Sequence, residues 1–217
     1  MGSAVPEELL AGLLMIAFIG GFVFLIYKLV LIYEKKLAEN FKKLGNKYGL
    51  QFEKDTLGQY GRKKGPLLKG NIKGHDFICY SYTTGGGKNR VDWTTFKLQH
   101  NLSIEGYRLR LVNEHIFRKI GKGMGVVKEI EIGVQDFDKR FIIDSENLSI
   151  TRSLLNRNVR EKITEIPNMY FGELLITDKE ISYKVSLALN HEKTCKHFQT
   201  TLEAALLALE ELKRVYR

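Results

Sequence analysis

The chain has 217 residues, with 34 Lys and Arg against 25 Asp and Glu, for a formal charge of +9. At 44% hydrophobic and 27% charged residues it is neither a disordered nor a fibrous sequence. Two cysteines exclude a disulfide scaffold, and three prolines exclude a Pro-rich linker protein.

Residues 1–8, MGSAVPEE, hold Glu7 and Glu8 and no Lys or Arg. From Leu9 to Tyr27 every residue is uncharged; Lys28 follows, then a second apolar run, Leu29 to Tyr33. At ~1.5 Å per residue, Leu9 to Tyr27 alone reaches about 28 Å, close to the ~30 Å of a bilayer's hydrocarbon core. Lys28 stands where its stem can lift the ammonium into the headgroups, and Tyr27 and Tyr33 suit the aromatic belt. Residues 9–33 therefore predict a transmembrane helix. A cleaved signal peptide fits less well, because the leading residues are acidic and Glu34, Lys35 and Lys36 follow the run instead of a small-residue cleavage site. The later apolar stretch Leu202–Leu212 contains Glu203, Glu210 and Glu211, so a single pass is expected. Lys28, Lys35, Lys36, Lys42, Lys43 and Lys47 all lie downstream, which predicts residues 1–8 outside and the folded domain in the cytosol. The sequons at Asn101 and Asn147 would matter only in the opposite orientation. Ala17 and Gly21 form a small-xxx-small pair, which points to at most a weak homodimer.

Residues 34–49 read as a basic stalk helix. Leu37, Phe41, Leu44 and Tyr48 recur at helical spacing, Glu39 stands four before Lys43, and Gly49 is placed to end the helix. Residues 50–217 read as one domain with uneven charge, 20 basic to 8 acidic residues from Glu34 to Lys128 and 13 to 15 from Glu129 onward.

LLKGNIKGHDFICYSY reads as two strands turning near Gly74, with Phe77, Cys79 and Ser81 on one face and Ile78, Tyr80 and Tyr82 on the other. GGGKNR is a loop, and VDWTTFKL and YRLRLV are strands. NEHIFRKIG predicts a short helix and GKGMG a loop, with strands at VKEIEI and FDKRFIID. SENLSITRSLLNRNVREKITEI reads as one helix stopped by Pro167. A hairpin turning at Asp178 and Lys179 follows. The last helix is expected to start at Thr200, with Glu203 completing a capping box and Leu202, Leu206, Leu209 and Val215 as its stripe. Strands and helices do not alternate regularly, so the fold class is α+β, a largely antiparallel sheet with packed helices behind an N-terminal span.

Candidate chemistry is sparse. His75 and Cys79, with His191, Cys195 and His197, offer zinc-type donors, but no C-x-x-C knuckle accompanies them and no metal site is expected. Cys79 reads as a small buried hydrophobe, and HEKTCKH as a solvated link. Asp136, Asp138 and Asp144 fail as a calcium loop, because Arg140 and Phe141 stand where a ligand and Gly are required. GGGK lacks P-loop spacing, and GKGMG closes no βαβ unit. GQYG at Gly58–Gly61 is a bare G-x-x-G. No G-x-S-x-G or H-E-x-x-H occurs, and a Cys195–His197 dyad has nothing to orient it. No catalytic residue and no cofactor are assigned. Lys28, Lys35, Lys36, Lys42, Lys43, Arg62, Lys63 and Lys64 are the expected contacts with anionic headgroups, at roughly 1 kcal/mol per cation near the surface. Nucleic-acid binding through Tyr80, Tyr82 and Lys88 is disfavoured by the tether.

In its order of parts the chain resembles a loose group of uncharacterised, mostly bacterial, membrane-anchored domains of unknown function. The resemblance lies in the span and stalk, the LLKGNIKGHDFICYSY run, and FDKRFIID feeding a SLL-containing helix. Such domains commonly have two spans where this chain shows one, and the resemblance implies no activity. The expected function is a membrane-anchored interaction or scaffold module with an unidentified protein partner. The alternative is an enzyme or ligand-binding domain acting on a membrane-associated substrate.

Overall fold

The computed structural model describes residues 7–54, 56–57, 63–100, 102, 106–113 and 129–216. Helix α1 runs unbroken from Glu7 to Tyr48, 42 residues, or about 63 Å at ~1.5 Å per residue. Its first half presents apolar side chains to the surroundings on all sides, Phe18 at 77% exposure among them. Its last turns enter the core, where Leu37, Phe41 and Leu44 are buried. Gly49 ends the helix in the left-handed conformation, φ 67°, that a side chain would disfavour. Span and stalk are thus one continuous helix, since nothing between Tyr33 and Glu34 interrupts its backbone ladder. Glu39 pairs backward with Lys35, at 3.9 Å, and not with Lys43.

Among the described residues ten strands follow: β1 (Gln51–Glu53), β2 (Thr56–Leu57), β3 (Lys63–Lys64), β4 (Leu67–Ile72), β5 (His75–Thr84), β6 (Val91–Gln99), β7 (Arg108–Asn113), β8 (Phe141–Ser145), β9 (Glu173–Thr177) and β10 (Glu180–Val185). Eight make one antiparallel sheet in the order β1-β4-β5-β6-β10-β9-β7-β8, while β2 and β3 pair separately. The β4–β5 turn has positive φ at both Lys73 and Gly74, the mirror-image geometry that matches strand twist. The fold class is α+β, as the irregular element order implies.

Helices cover one face of the sheet: α2 (Gln135–Asp138), α3 (Leu148–Leu154), α4 (Arg157–Thr164) and α5 (Glu192–Val215). The packed centre is aromatic. Phe96 meets Phe198 edge-on at 5.5 Å, and Tyr183 lies 5.5 Å from Phe96. The buried Tyr183 hydroxyl accepts from Gly172 N at 2.9 Å and donates to the Tyr170 carbonyl at 3.1 Å. Burial pushes its phenol up to about 12.

Several local expectations need correction. The segment before Pro167 is two helices, because Asn156 breaks it and caps α4, its side chain accepting from Val159 N at 3.1 Å. The last helix starts at Glu192, two turns before Thr200. Thr200 is an interior residue whose hydroxyl donates to the Lys196 carbonyl at 3.0 Å, so HEKTCKH is largely helical and no capping box forms. Glu203 instead meets Lys162 and Lys47 from other elements, and Leu212, not Val215, completes the buried stripe. Among the described residues of VKEIEI, only Glu129 forms a β-bridge to the sheet, opposite Asp144, and FDKRFIID is strand from Phe141 onward. Asn113 of NEHIFRKIG is the last residue of β7, and the rest of that segment, GKGMG and GQYG lie outside the described residues.

Candidate functional site

On the covered face of the β5–β6 hairpin, alternation places Phe77, Cys79, Ser81 and Thr83 inward on one strand and Leu98, Phe96, Thr94 and Asp92 on the other. The face is therefore apolar at one end and polar at the other. The polar end is where α1 leaves the domain. There the Tyr33 hydroxyl donates to Asp92 Oδ2 at 2.9 Å, and Thr83 Oγ1 donates to Asp92 Oδ1 at 2.6 Å. Arg90 adds its Nε and Nη2, each 3.3 Å from Oδ1. Burial alone would raise the Asp92 carboxyl, but the hydrogen bonds from Thr83 and Tyr33 and the Arg90 charge outweigh it and hold the group below its ordinary value. Asp92 is thus a fixed anion tying α1 to β6.

Around this knot lies a cavity of about 550 Å³ between α1 and the β5–β6 hairpin. One wall is Ile26, Leu29 and Val30 of the apolar half of α1. The other comes from Gly65, Pro66 and the Ser81–Thr83 stretch, with Glu34, Lys54 and Arg90 contributing charge. Gly65 is required at its position, because a Cβ there would stand 2.9 Å from the Ser81 carbonyl oxygen. Sequence reasoning placed Tyr33 in the aromatic belt but missed Asp92, Thr83, Arg90 and Lys54. An Asp at an inward-facing strand position was the available signal.

On the opposite face of the hairpin the Tyr80 and Tyr82 rings are tilted to one another with centroids 5.8 Å apart, and Lys184 Nζ lies 4.3 Å above the Trp93 ring.

The zinc-type donors are dispersed. Cys79 is fully buried, its thiol raised by burial, while His75 Nδ1 lies 3.1 Å from the Gln99 carbonyl at a strand end. His191 precedes α5, the Cys195 thiol donates to the Leu189 carbonyl at 3.4 Å, and His197 stacks on Tyr170 at 4.7 Å. Among the described residues no three His, Cys, Asp or Glu side chains gather as a metal site. Of the expected membrane contacts, Lys35, Lys36, Lys42 and Lys43 are exposed on α1, and Lys28 lies 5.4 Å over Phe24. Lys63 and Lys64 form β3, and Arg62 lies outside the described residues.

No protein-family model matches the chain, and no curated protein does. Among solved structures, it is similar to the crystal structure of the mycobacterial trehalose monomycolate transport factor A, TtfA. The TM-score is 0.51 at 13% sequence identity, covering 83% of this chain and 96% of the transport factor's. At that identity the likeness is one of fold.

Proposed function

We propose that this chain is a single-pass, membrane-anchored interaction module that holds its folded domain at a fixed distance and angle from the bilayer, on the cytosolic side. The observation that carries the reading is the unbroken α1, whose apolar half is unpacked and whose last turns are core. A flexible linker would tether a domain; a continuous helix locked by Tyr33, Leu37, Phe41 and Leu44 also orients it. Lys35, Lys36, Lys42 and Lys43 then sit within reach of anionic headgroups, at about 1 kcal/mol for each one that arrives. The fold it shares with a protein named as a trehalose monomycolate transport factor supports a role beside a membrane transport process.

Light crosslinking of the tagged full-length protein in cells, followed by purification in mild detergent, tests the reading. A stoichiometric membrane-protein partner is expected. It should be lost when a Gly-Ser stretch is inserted between Tyr33 and Glu34, with the protein still in the membrane fraction. A solitary protein would overturn the proposal. The cavity beside α1 favours a second reading, a ligand-binding domain for a membrane-associated molecule.

A further inference from the structure

Resting on the membrane-anchored reading, we infer that the cavity between α1 and the β5–β6 hairpin binds one phospholipid of the adjacent leaflet. The expected class is a zwitterion with a phosphodiester and a primary ammonium. Three observations on the molecule lead there.

The first is continuity. Lys28 separates Ile26 from Leu29 and Val30 in sequence, but their helical spacing puts all three on one face of α1, so an acyl chain leaving the bilayer along that face meets hydrocarbon. A cavity of about 550 Å³ falls in the range, roughly 300–1,000 Å³, of sites that enclose a small ligand. The second is the polar end. Ser81, Thr83 and Asp92 lie on the face of the hairpin that further along holds Cys79 and Phe96, with Ser81 buried, Asp92 half-buried and Thr83 exposed at the open end. A headgroup explains a hydroxyl-and-carboxylate end; an occupant that was apolar throughout would not.

The third is the charge pattern. Asp92 and Arg90 satisfy each other, which leaves Lys54 and Glu34 as the cation and anion of the rim, neither ion-paired among the described residues. One cation and one anion match a phosphate beside Lys54 and an ammonium beside Glu34. A phosphatidylcholine headgroup offers Glu34 no N–H, and a phosphatidylglycerol headgroup offers it hydroxyls but no cation.

The test uses full-length protein in phosphatidylcholine vesicles doped with phosphatidylethanolamine that carries one diazirine at the ester end of one acyl chain, beside the headgroup, and another near the methyl end of the other. After irradiation, the peptide bearing Ser81, Tyr82 and Thr83 should be labelled together with the Leu13–Phe22 part of the span. Val30→Trp, which fills the mouth from an exposed position, should abolish the first label and keep the second. Lys54→Ala and Glu34→Gln should each lower the first label about two- to fivefold, the worth of one exposed ion pair. A phosphatidylcholine probe should label that peptide less. A labelled span with an unlabelled Ser81–Thr83 peptide would overturn the site while leaving the anchor standing. No label on either would overturn both. Equal labelling by the two probes, indifferent to Lys54→Ala, would mean passive contact with bulk lipid and would also overturn the site.

Discussion

The Tyr33 hydroxyl donates to Asp92 Oδ2 at 2.9 Å, joining the helix that begins at Glu7 to a strand 59 residues later in the sequence. This is the outermost of the contacts that hold α1 to the domain, and Leu37, Phe41 and Leu44 continue it inward. Tyr33→Phe removes the donor while Thr83 and Arg90 still satisfy the carboxylate. The expected cost is about 1 kcal/mol, read as a lower urea midpoint from the fluorescence of Trp93, the only tryptophan. An unchanged midpoint would mean that the bond contributes nothing to docking.

Acid should weaken the domain. Asp92 titrates below its ordinary value in the folded protein, and so does Glu203, where the hydrogen bonds and charges of Lys162 and Lys47 outweigh burial. A carboxyl depressed in this way contributes stability that is present above its unfolded value of about 4 and is lost as pH falls through the folded one. His100, lowered chiefly by burial, acts in the same direction, starting near pH ~6.5. Unfolding midpoints should fall steadily from neutral pH to about pH 3, and Glu203→Gln should flatten the lower part of that curve. A midpoint that rises on acidification would contradict the assignment.

Phe41 is fully buried where α1 meets the sheet and α5. Phe41→Ala should cost about 3–5 kcal/mol, whereas Leu25→Ala in the exposed half of α1 should leave domain unfolding unchanged. Limited proteolysis should then nick the Phe41→Ala protein between Glu34 and Tyr48. A resistant variant would show that α1 is held elsewhere.

Helix starts give a further pair of outcomes. Asn156→Ala removes the cap of α4 and should cost about 1 kcal/mol. Thr200→Ala should stay within about 0.5 kcal/mol, because Thr200 lies inside α5 and its hydroxyl bonds only its own helix. A larger loss at Thr200 than at Asn156 would contradict both assignments.

The features legible from sequence were those written in local periodicity. The apolar run, the Leu37–Phe41–Leu44 stripe, Gly49 as helix end, the turn at Gly74 and the two faces of β5 all follow from spacing and glycine chemistry alone. What was not legible depended on partners distant in the chain. Asn156 is the local exception, since it looks like any polar helix residue until its side chain accepts from Val159 N three residues on. Thr200 and Glu203 satisfy a capping pattern, yet the helix was already running, with Phe198 of the preceding turn packed on Phe96. Asp92 reads as a solvated strand residue because Tyr33, Thr83 and Arg90 reach it from three places in the chain. The cavity was invisible for the same reason, since its two walls are far apart in sequence.

The most direct test of the central claim is a distance between two spin labels, one at Leu25 in the span and one at Lys88 in the β5–β6 loop. Unnatural amino acids would carry the labels, leaving Cys79 and Cys195 untouched, in full-length protein reconstituted in nanodiscs. A continuous, docked α1 predicts one narrow distance distribution that broadens in Phe41→Ala. A broad distribution in the parent protein, or loss of the Leu25 label with a cleaved N-terminal segment, would contradict a rigid membrane anchor.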